Sequence, residues 1–288
     1  MAVKQGFAEG AAVVTGAGSG IGEGIARHAA SLGMHVMLAD VAIERARRVA
    51  ADIRDAGGSA MAERIDVRIP GELDQLAARA YDKFGDVRLL VNNAGIETVG
   101  YSWEIPAERW EETLDVNIHG VIHGVRAFVP RMLASGKPAY IANVASIGAL
   151  GMMPVQTAYI LSKHAVLSFT ECLRLEMSLL GDPISISCVL PGPVATRIFE
   201  DANRDDKPEV AHHRKLMHDM LASEGITPLE AGRIILDGIA AKNFWVSTHP
   251  EITAQMAKDR AAHLADLTTP ELTERTRSLL PRRGSVGS

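Results

Sequence analysis

Short apolar runs alternate with longer amphipathic segments along most of the chain. The runs that predict β-strands are AAVVTG (11–16), HVMLAD (35–40), AMAERID (60–66), RLLVNN (88–93), AYIANVAS (139–146), ISISCVL (184–190) and NFWVST (243–248). Several of them are apolar throughout instead of alternating between apolar and polar residues. Continuous apolar strands are typical of a parallel sheet that helices cover on both faces.

The segments between these runs predict helices. GIGEGIARHAASLG, IERARRVAADIRDAGG and GELDQLAARAYDKFG have helical apolar spacing, and Gly33, Gly57 and Gly85 stand where a glycine commonly ends a helix. Strand–helix alternation on this scale predicts right-handed βαβ units and an α/β fold with a doubly wound parallel sheet. Ligands bind such sheets beyond the carboxyl ends of the strands, so chemistry is expected there.

Composition changes at two places along the chain. Residues 193–225 form a polar, helix-prone insertion in the last crossover, and residues 250–280 predict further helix before the terminal PRRGSVGS. We therefore predict one domain over residues 1–250 with a lid at about 193–225, which would close over substrate and exclude water. Residues 251–288 are predicted to be a helical extension with a frayed end.

Net charge and hydropathy exclude several classes of protein. The chain has 288 residues, 47% of them hydrophobic, and a net charge of −5 with both signs interspersed. Because no basic stripe is present, nucleic acid is not an expected partner. No apolar run approaches the roughly 20 residues of a membrane helix, and the N-terminus lacks the features of a signal peptide. We therefore predict a soluble cytoplasmic protein with no membrane partner.

Cysteine and histidine residues show no pattern of metal ligands. Cys172 and Cys188 match no zinc or redox spacing, and both are predicted to be small buried hydrophobic residues. The ten histidines, including those of AHHRKLMH, form no repeated ligand spacing. A solvated helix face explains AHHRKLMH better, and no metal is predicted.

A glycine-rich loop follows the first predicted strand. TGAGSGIG places Gly16, Gly20 and Gly22 in the spacing G-x-x-x-G-x-G between a strand and a helix. Glycines there let the backbone turn tightly and let a pyrophosphate approach the amides that begin the helix. A turn without a ligand is the alternative, but the strand–loop–helix context favours a dinucleotide site.

Asp40 closes the second predicted strand, eighteen residues after Gly22. A carboxylate there can accept hydrogen bonds from both hydroxyls of an adenosine ribose and repels a 2′-phosphate. Val41 and Ala42 are not basic, and Ser19 occupies a position where a basic residue would favour the phosphorylated cofactor. We therefore predict NAD in preference to NADP. An additional role for Asp40 as N-cap of the next helix is compatible with this prediction.

TAYILSKHAV places Tyr159 four residues before Lys163, so both side chains lie on one face of a predicted helix. A half-packed surface tyrosine beside a solvated lysine would give the same pattern. A free tyrosine has a pKa near ~10, too high for a general base at neutral pH. A nearby ammonium and the positive charge of a nicotinamide are expected to lower that pKa toward neutrality.

Six motifs together resemble those of the short-chain dehydrogenase/reductase family. They are TGAGSGIG, NNAG (92–95), Asn117, Ser146, YILSK (159–163) and PGPVAT (191–196), in the family's order and spacing. The chain resembles the compact single-domain branch over roughly residues 8–248. The resemblance implies a Rossmann-type sheet of about seven parallel strands in a three-layer αβα arrangement. It also implies hydride transfer between nicotinamide and a carbonyl or alcohol.

The resemblance assigns four catalytic residues. Tyr159 would be the general base in alcohol oxidation, and Ser146 would donate a hydrogen bond to the reacting oxygen. Lys163 would stabilise the phenolate and bind the nicotinamide ribose. Asn117 would distort its helix so that water relays protons to Lys163, a distortion that the sequence itself does not show.

The resemblance also implies a set of cofactor contacts. Asp66 and Val67 are expected at the adenine, Asn93 at the adenosine ribose, and Val194 and Thr196 at the carboxamide. Each motif could instead be an ordinary turn, because Pro-Gly and Asn-Ala-Gly form turns without a ligand. The predicted cofactor-binding residues are Gly16, Ser19, Gly20, Ile21, Gly22, Asp40, Asp66, Val67, Asn93, Ala94, Gly95, Tyr159, Lys163, Pro191, Gly192, Val194 and Thr196.

The predicted substrate pocket is mostly apolar, with Glu97 as its one fixed charge. Its candidate apolar wall is Ile96, Val99, Leu150, Met152, Met153, Val155, Ile198 and Phe199, although some of these could be core residues. An apolar or aromatic secondary alcohol or ketone fits such a pocket better than a sugar or a thioester. The predicted substrate contacts are Ser146, Leu150, Met152, Met153, Tyr159 and Phe199.

The family resemblance also implies an assembly of several subunits, and two alternative functions are compatible with the same fold. The family commonly pairs the helices that carry Asn117 and Tyr159 across two-fold axes, which implies a homotetramer, with a dimer second. A non-catalytic NAD(H)-binding regulator could lose the base, but all four predicted catalytic residues are present. A family member that uses NAD for epimerisation or dehydration would retain the cofactor tightly and show no net cofactor reduction.

Overall fold

Seven parallel strands form one sheet at the centre of the molecule. The computed structural model describes residues 10–202 and 207–280, and its strand order is β3-β2-β1-β4-β5-β6-β7. The strands are β1 (Ala11–Thr15), β2 (His35–Asp40), β3 (Ser59–Arg64), β4 (Val87–Asn92), β5 (Ala139–Val144), β6 (Ile184–Leu190) and β7 (Trp245–Ser247). This Rossmann-type α/β fold confirms the predicted fold class.

Helices connect the strands and cover both faces of the sheet. They are α1 (Gly20–Ser31), α2 (Ile43–Asp55), α3 (Pro70–Phe84), α4 (Ala107–Leu114), α5 (Gly120–Ser135), α6 (Thr157–Leu179), α7 (Pro208–Glu224), α8 (Pro228–Ala240), α9 (Pro250–Ala265) and α10 (Glu274–Ser278). A π-helical turn (Asp115–His119) joins α4 to α5, and a 3₁₀ turn (Ile147–Leu150) follows β5. Gly33, Gly57 and Gly85 have φ values of +95°, +83° and +73°, as expected for glycines that end helices.

Side chains of β1 point alternately into two apolar clusters. Ala12 and Val14 pack with α1, α2 and α8 on one face of the sheet. Ala11 and Val13 pack with α3, α5 and α6 on the other face. Every residue of β1 is therefore buried, which explains why the strand has no polar alternation.

Helices α1 and α8 cross at two glycines. A Cβ on Gly24 would lie 1.8 Å from the carbonyl oxygen of Pro228, and a Cβ on Gly232 would lie 2.3 Å from the carbonyl carbon of Gly24. Only hydrogen atoms fit between the backbones at this crossing. The contact holds α1 in place, and α1 carries the glycine loop at its N-terminus.

We expect Gly24→Ala to lower the free energy of unfolding by about 1–3 kcal/mol, because the two backbones would have to separate. Thermal and urea unfolding measure this loss. Gly71→Ala in α3 is the matched control, since a Cβ there meets no atom within 4 Å and alanine favours the helix. Unchanged stability of Gly24→Ala would contradict the close crossing.

The prediction that Cys172 is buried is wrong. Cys172 is exposed and Cys188 is buried. The neighbouring Leu173 and Met177 turn toward the sheet, and Cys172 lies on the outer face of the same helix. Cysteine is usually buried, but on a helix that packs against the sheet through one side, the face on which a residue lies determines whether it is buried.

The structure also bears on the predicted insertion and on the predicted C-terminal extension. Helix α7 lies within the predicted insertion, and α9 and α10 form the predicted helical extension. Residues 203–206 of the predicted lid and the predicted frayed end, 281–288, lie outside the described residues. In the described part of the chain, no helix is long and apolar enough to cross a membrane.

Candidate active site

One cavity of about 2000 Å³ runs along the carboxyl edge of the sheet. Nearly all the predicted cofactor and substrate residues line it, from the glycine loop after β1 to the PGPVAT motif after β6. Gly22 and Asn117 are buried and do not line the cavity. A cavity of this size exceeds what a drug-sized ligand needs and can hold a dinucleotide together with a substrate.

The glycine loop turns back sharply onto the start of α1. Gly16 and Gly20 have φ values of +63° and +56°, a region that side chains with a Cβ rarely adopt. A Cβ on Gly22 would lie 2.3 Å from the carbonyl oxygen of Gly16. These glycines leave the amides at the N-terminus of α1 open to the cavity, as a pyrophosphate requires.

Asn93 supports the glycine loop from the end of β4. Its Nδ2 donates hydrogen bonds to the carbonyl oxygens of Thr15 at 2.9 Å and Gly16 at 3.2 Å. The Thr15 hydroxyl in turn accepts hydrogen bonds from the backbone N–H groups of Asn93 and Ala94. The Asn93 amide nitrogen thus shapes the loop, and the predicted ribose contact stays a prediction.

The Asp40 carboxylate joins the glycine loop to the start of α2. Its Oδ2 accepts a hydrogen bond from the backbone N–H of Gly18, and its Oδ1 accepts one from Ala42, both at 2.8 Å. Helix α2 has Ala42 as its N-cap residue, so the suggested N-cap role of Asp40 is wrong. Asp40 nevertheless lines the cavity at the position predicted for the adenosine ribose.

Sequence reasoning missed Arg45, which lies beside Asp40 in the cavity wall. The Arg45 guanidinium donates to both carboxylate oxygens of Asp201, at 2.8 and 3.3 Å. Hydrogen bonds to Asp201, followed by the charges of Asp201 and Asp40, raise the pKa of Arg45. This ion pair joins α2 to the segment after β6, and its partners are 156 positions apart in the chain, so the sequence carries no local signal for it.

Asp66 is paired with Arg68 at the end of β3. The Arg68 guanidinium donates to Asp66 at 2.6 to 3.1 Å, and these hydrogen bonds lower the pKa of the carboxyl group. Both residues line the cavity. Asp66 is therefore ionised at the predicted adenine position, with part of its hydrogen-bonding capacity used by Arg68.

Asn117 lies in the π-helical turn between α4 and α5, so the helix is distorted where the family resemblance placed the distortion. Its Oδ1 accepts the N–H of Ile96 at 2.8 Å, and its Nδ2 donates to the Ile96 carbonyl at 3.0 Å and to Ser162 Oγ at 2.9 Å. A fully buried amide thus joins the π-turn to the loop after β4 and to α6.

Ser146, Tyr159 and Lys163 meet where β5 ends and α6 begins. The Ser146 hydroxyl accepts a hydrogen bond from the N–H of Gly148 at 3.0 Å and also hydrogen-bonds Tyr159. Lys163 Nζ lies 5.5 Å from the centroid of the Tyr159 ring and donates to the Val144 carbonyl at 2.9 Å. Because Lys163 is only 4% exposed, a solvated surface pair is excluded.

The predicted lowering of the Tyr159 pKa does not follow from the chain's own residues. Burial raises the pKa of Tyr159, the nearby Glu97 raises it further, and the Ser146 hydrogen bond opposes both. Burial lowers the pKa of Lys163 to about 8, against the Glu97 charge. Burial thus disfavours both charged forms, and a lowered tyrosine pKa requires additional positive charge in the cavity.

Glu97 is a buried carboxyl group in the wall of this cavity, with 2% exposure. Burial raises the pKa of Glu97 well above its usual range, against a hydrogen bond from the Thr98 N–H at 3.1 Å and the charge of Lys163. The protonated form of Glu97 is therefore favoured in the cavity that Tyr159 and Lys163 also line.

We expect Glu97→Gln to raise the melting temperature by an amount that grows as pH increases from 5 to 8. An unfolded glutamate releases its proton near pH ~4.3, whereas folded Glu97 retains it to higher pH. Above the unfolded pKa the native state binds more protons than the unfolded state, so the wild type becomes less stable as pH rises. The Glu97→Gln variant has no carboxyl group at this position and loses no stability in this way. Thermal unfolding of both proteins across this range measures the gap. A gap independent of pH would contradict the raised pKa.

The insertion and the C-terminal helices cover one end of the cavity. Phe199, Val210 and Met217 form an apolar cluster with Val99 and Val155, against which Leu279 and Leu280 pack. Val99 and Val155 were predicted to line the pocket, but both are buried within this cluster and neither lines the cavity. Other parts of the insertion and extension line the cavity, including Ile198, Met220, Leu221, Met256, Leu267, Leu272 and Leu279.

Sequence reasoning did not assign the C-terminal extension to the site, because it carries no motif. Met256 in α9 lies so close to Gly151 that a Cβ on this glycine would be 2.7 Å from its methyl group. His213 Nδ1 in α7 lies 2.5 Å from the Leu279 carbonyl oxygen. Among the described residues, no group of three or more His, Cys, Asp or Glu side chains could hold a metal ion.

Comparison with known proteins reveals extensive similarity. A family model described as short chain dehydrogenase matches residues 10–207. The chain is 38% identical over 192 residues to a 1-deoxy-11-beta-hydroxypentalenate dehydrogenase from Streptomyces exfoliatus, covering 66% of this chain and 69% of that protein. It is 32% identical over 229 residues to the putative oxidoreductase SadH from Mycobacterium tuberculosis, covering 80% and 82% of the two chains.

A solved structure is similar over most of its length. It is a short chain dehydrogenase/reductase from Burkholderia phymatum in complex with NAD, with a TM-score of 0.87 and 33% sequence identity. The alignment covers 92% of this chain and 97% of that one.

Proposed function

We propose, from the premise that this chain belongs to the short-chain dehydrogenase family of oxidoreductases, that it oxidises a secondary alcohol or reduces the corresponding ketone with NAD(H). The observation that carries this proposal is the meeting of Ser146, Tyr159 and Lys163 in one cavity with the glycine loop. In that arrangement Tyr159 can accept the proton of a substrate hydroxyl, Ser146 can donate a hydrogen bond, and Lys163 supplies a buried positive charge. All three line the same cavity as the glycine loop, where a dinucleotide would bind.

The residues present fit a nicotinamide dinucleotide. Gly16 and Gly20 hold left-handed backbone conformations and Gly22 leaves no room for a Cβ, which together form the cradle that a pyrophosphate needs. The Asp40 carboxylate supports NAD over NADP, because a 2′-phosphate would be placed beside a negative charge. Arg45 does not offset this preference, because Asp201 occupies its guanidinium.

The protein's own groups have distinct tasks in this proposal. NAD, when bound, supplies the hydride acceptor and a positive charge. Tyr159 accepts the hydroxyl proton in the oxidative direction, and Ser146 donates a hydrogen bond to the same substrate oxygen. Lys163, held against the Val144 carbonyl, stabilises the phenolate electrostatically. In this proposal the π-helical turn at Asn117 marks the place where water would relay a proton to Lys163.

The cavity supports an apolar or aromatic substrate. Leu150, Met153, Ile198 and Phe199 lie in its wall, together with the leucine and methionine side chains of α7 and the C-terminal extension. We propose that the insertion at 193–225 acts as a lid that excludes water from the reaction. The large number of apolar side chains around this cavity supports a substrate larger than a simple aliphatic alcohol.

Steady-state turnover tests the proposed function. The purified protein is incubated with NAD and a panel of secondary alcohols that includes aryl carbinols, and NADH formation is followed by absorbance. We expect NAD reduction with at least one aryl or bulky apolar alcohol. Tight NADH binding without turnover of any alcohol or ketone would favour the non-catalytic regulator. Retained NAD with a changed substrate and no net reduction would favour epimerisation or dehydration.

We also propose a homotetramer, with a dimer as the second assembly. Leu161, Leu175 and Leu179 are exposed along α6, the helix through which the family resemblance implies pairing. Burial of this apolar row in a symmetric contact would remove it from water. Light scattering of the purified chain determines the molecular mass directly.

A further inference from the structure

We propose that Gln156 and Glu97 form a polar subsite that binds a second oxygen of the substrate, on the carbon next to the reacting carbinol. The inference rests on the proposed function, because it names a feature of the alcohol that the same cavity would take. It assigns the substrate to oxygenated alcohols such as vicinal diols and α-hydroxy ketones, carried on an apolar or aromatic body.

The Gln156 side chain is buried in the cavity wall. It is 5% exposed, and its Nε2 forms no hydrogen bond with any residue that the structure describes. It occupies the N-cap position of α6, but its side chain does not cap the helix. A buried amide without a hydrogen bond destabilises a protein, so the fold itself gains nothing from glutamine here. A ligand oxygen in the cavity would satisfy the amide.

The position of Gln156 places that oxygen next to the reacting group. Gln156 immediately precedes α6 and lies three residues before Tyr159, and both residues line the same cavity. A bound oxygen that contacts both the Gln156 amide and the site above Tyr159 must therefore be close to the carbinol. Two atoms bonded to adjacent carbons meet this requirement.

Glu97 lies in the adjacent part of the same wall. The N–H of Gly100 donates to the carbonyl of Val155 at 2.8 Å, which ties the segment after Glu97 to the residue before Gln156. The Thr98 N–H provides the one hydrogen bond that described residues give the Glu97 carboxyl group. A protonated carboxyl group retains an O–H that can donate to a ligand oxygen.

The two side chains suit a neutral oxygen rather than an anion. A hydroxyl can accept from the Gln156 amide and donate to Glu97, and a carbonyl oxygen can accept from both groups. A substrate carboxylate would instead have to give up its hydration in a buried site in which neither the Gln156 amide nor a protonated Glu97 carries a compensating charge. A vicinal hydroxyl or keto oxygen is therefore the ligand group that the subsite takes.

The test compares two alcohols that differ by one hydroxyl, 1-phenylethanol and 1-phenylethane-1,2-diol, in NAD-dependent turnover. We expect wild type to prefer the diol by about tenfold or more in kcat/KM, because a site built to hydrogen-bond an oxygen rejects the analogue that lacks it. Gln156→Leu and Glu97→Leu should each reduce this preference about tenfold. Gln75→Leu makes the same chemical change at an exposed position of α3 and should preserve the preference.

Thermal unfolding of the cofactor-free variants tests whether Gln156 has only a structural role. Because the amide lacks a partner, Gln156→Leu should melt at or above the wild-type temperature. A lower melting temperature, together with an unchanged diol preference, would overturn the proposal. An equal loss of the preference in Gln75→Leu would overturn it as well.

A binding measurement separates failure of the subsite from failure of the proposed function. If neither alcohol is turned over, the oxidoreductase assignment for these substrates fails, but the subsite is still tested on the NADH-loaded protein. We expect 2-hydroxyacetophenone to bind about tenfold more tightly than acetophenone by calorimetry, and Gln156→Leu to remove the difference. Equal affinities in wild type would refute the subsite whatever the turnover.

Discussion

Tyr159→Phe is expected to lower kcat for the best secondary alcohol by about a thousandfold or more, while the Kd for NADH stays within a few-fold of the wild-type value. The substitution removes the proposed proton acceptor and the hydrogen bond with Ser146, and leaves the ring that packs beside Lys163. General base catalysis by a positioned side chain commonly contributes about 10²–10⁴-fold. The loss of the shared hydrogen bond with Ser146 adds to this effect.

Stopped-flow and steady-state absorbance measure the chemical step, and NADH fluorescence titration measures cofactor affinity. Tyr81→Phe is the matched control, since it removes a tyrosine hydroxyl that has no hydrogen-bond partner among the described residues and lies outside the cavity. We expect wild-type kcat for this control. Substantial turnover by Tyr159→Phe would assign the proton transfer to another group and refute the role of Tyr159.

Asp40→Ala is expected to lower the ratio of kcat/KM for NAD to that for NADP by about 10- to 100-fold, the loss of one or two charge-assisted hydrogen bonds. The variant removes the charge that repels a 2′-phosphate. It also removes the acceptor of the Gly18 and Ala42 N–H groups, so we expect KM to rise for both cofactors. The change in the NAD/NADP ratio of kcat/KM therefore measures how far Asp40 selects the cofactor. The rise in KM for both cofactors measures how far Asp40 holds the glycine loop in its conformation.

Asp40→Asn separates these two effects. Its side-chain oxygen can still accept a backbone hydrogen bond, but it carries no charge to repel a phosphate. We expect Asp40→Asn to change the cofactor ratio with a smaller common rise in KM than Asp40→Ala. Unchanged ratios in both variants would show that Asp40 does not select the cofactor.

Strand positions were predictable wherever the apolar run was long and covered on both faces. The predicted ranges of β2 and β6 agree with the observed bounds, because local hydropathy and sheet burial coincide there. The last predicted run, 243–248, contains only the three residues of β7. β7 lies at the edge of the sheet and pairs with β6 alone, so this strand is only as long as that single pairing.

The candidate site was predictable where a short motif carries its own geometry. The glycine loop, NNAG and the Tyr159–Lys163 pair act through positions at most a few residues apart, and parallel strands bring their ends to one edge of the sheet. The pKa of Tyr159 was not predictable in this way. It depends on burial and on Glu97, whose charge reaches Tyr159 only across the folded cavity.

By itself, the sequence determined the fold class and most of the residues that line the cavity at the carboxyl edge of the sheet, because these follow from periodicity and from motifs of fixed spacing. The tertiary structure alone decided which polar groups are buried without partners, as for Gln156, and which distant residues pair, as for Arg45 with Asp201. It also decided that the C-terminal helices roof the pocket. These properties depend on the solvent exposure of each atom and on contacts between residues far apart in the chain, and neither quantity exists until the chain has folded.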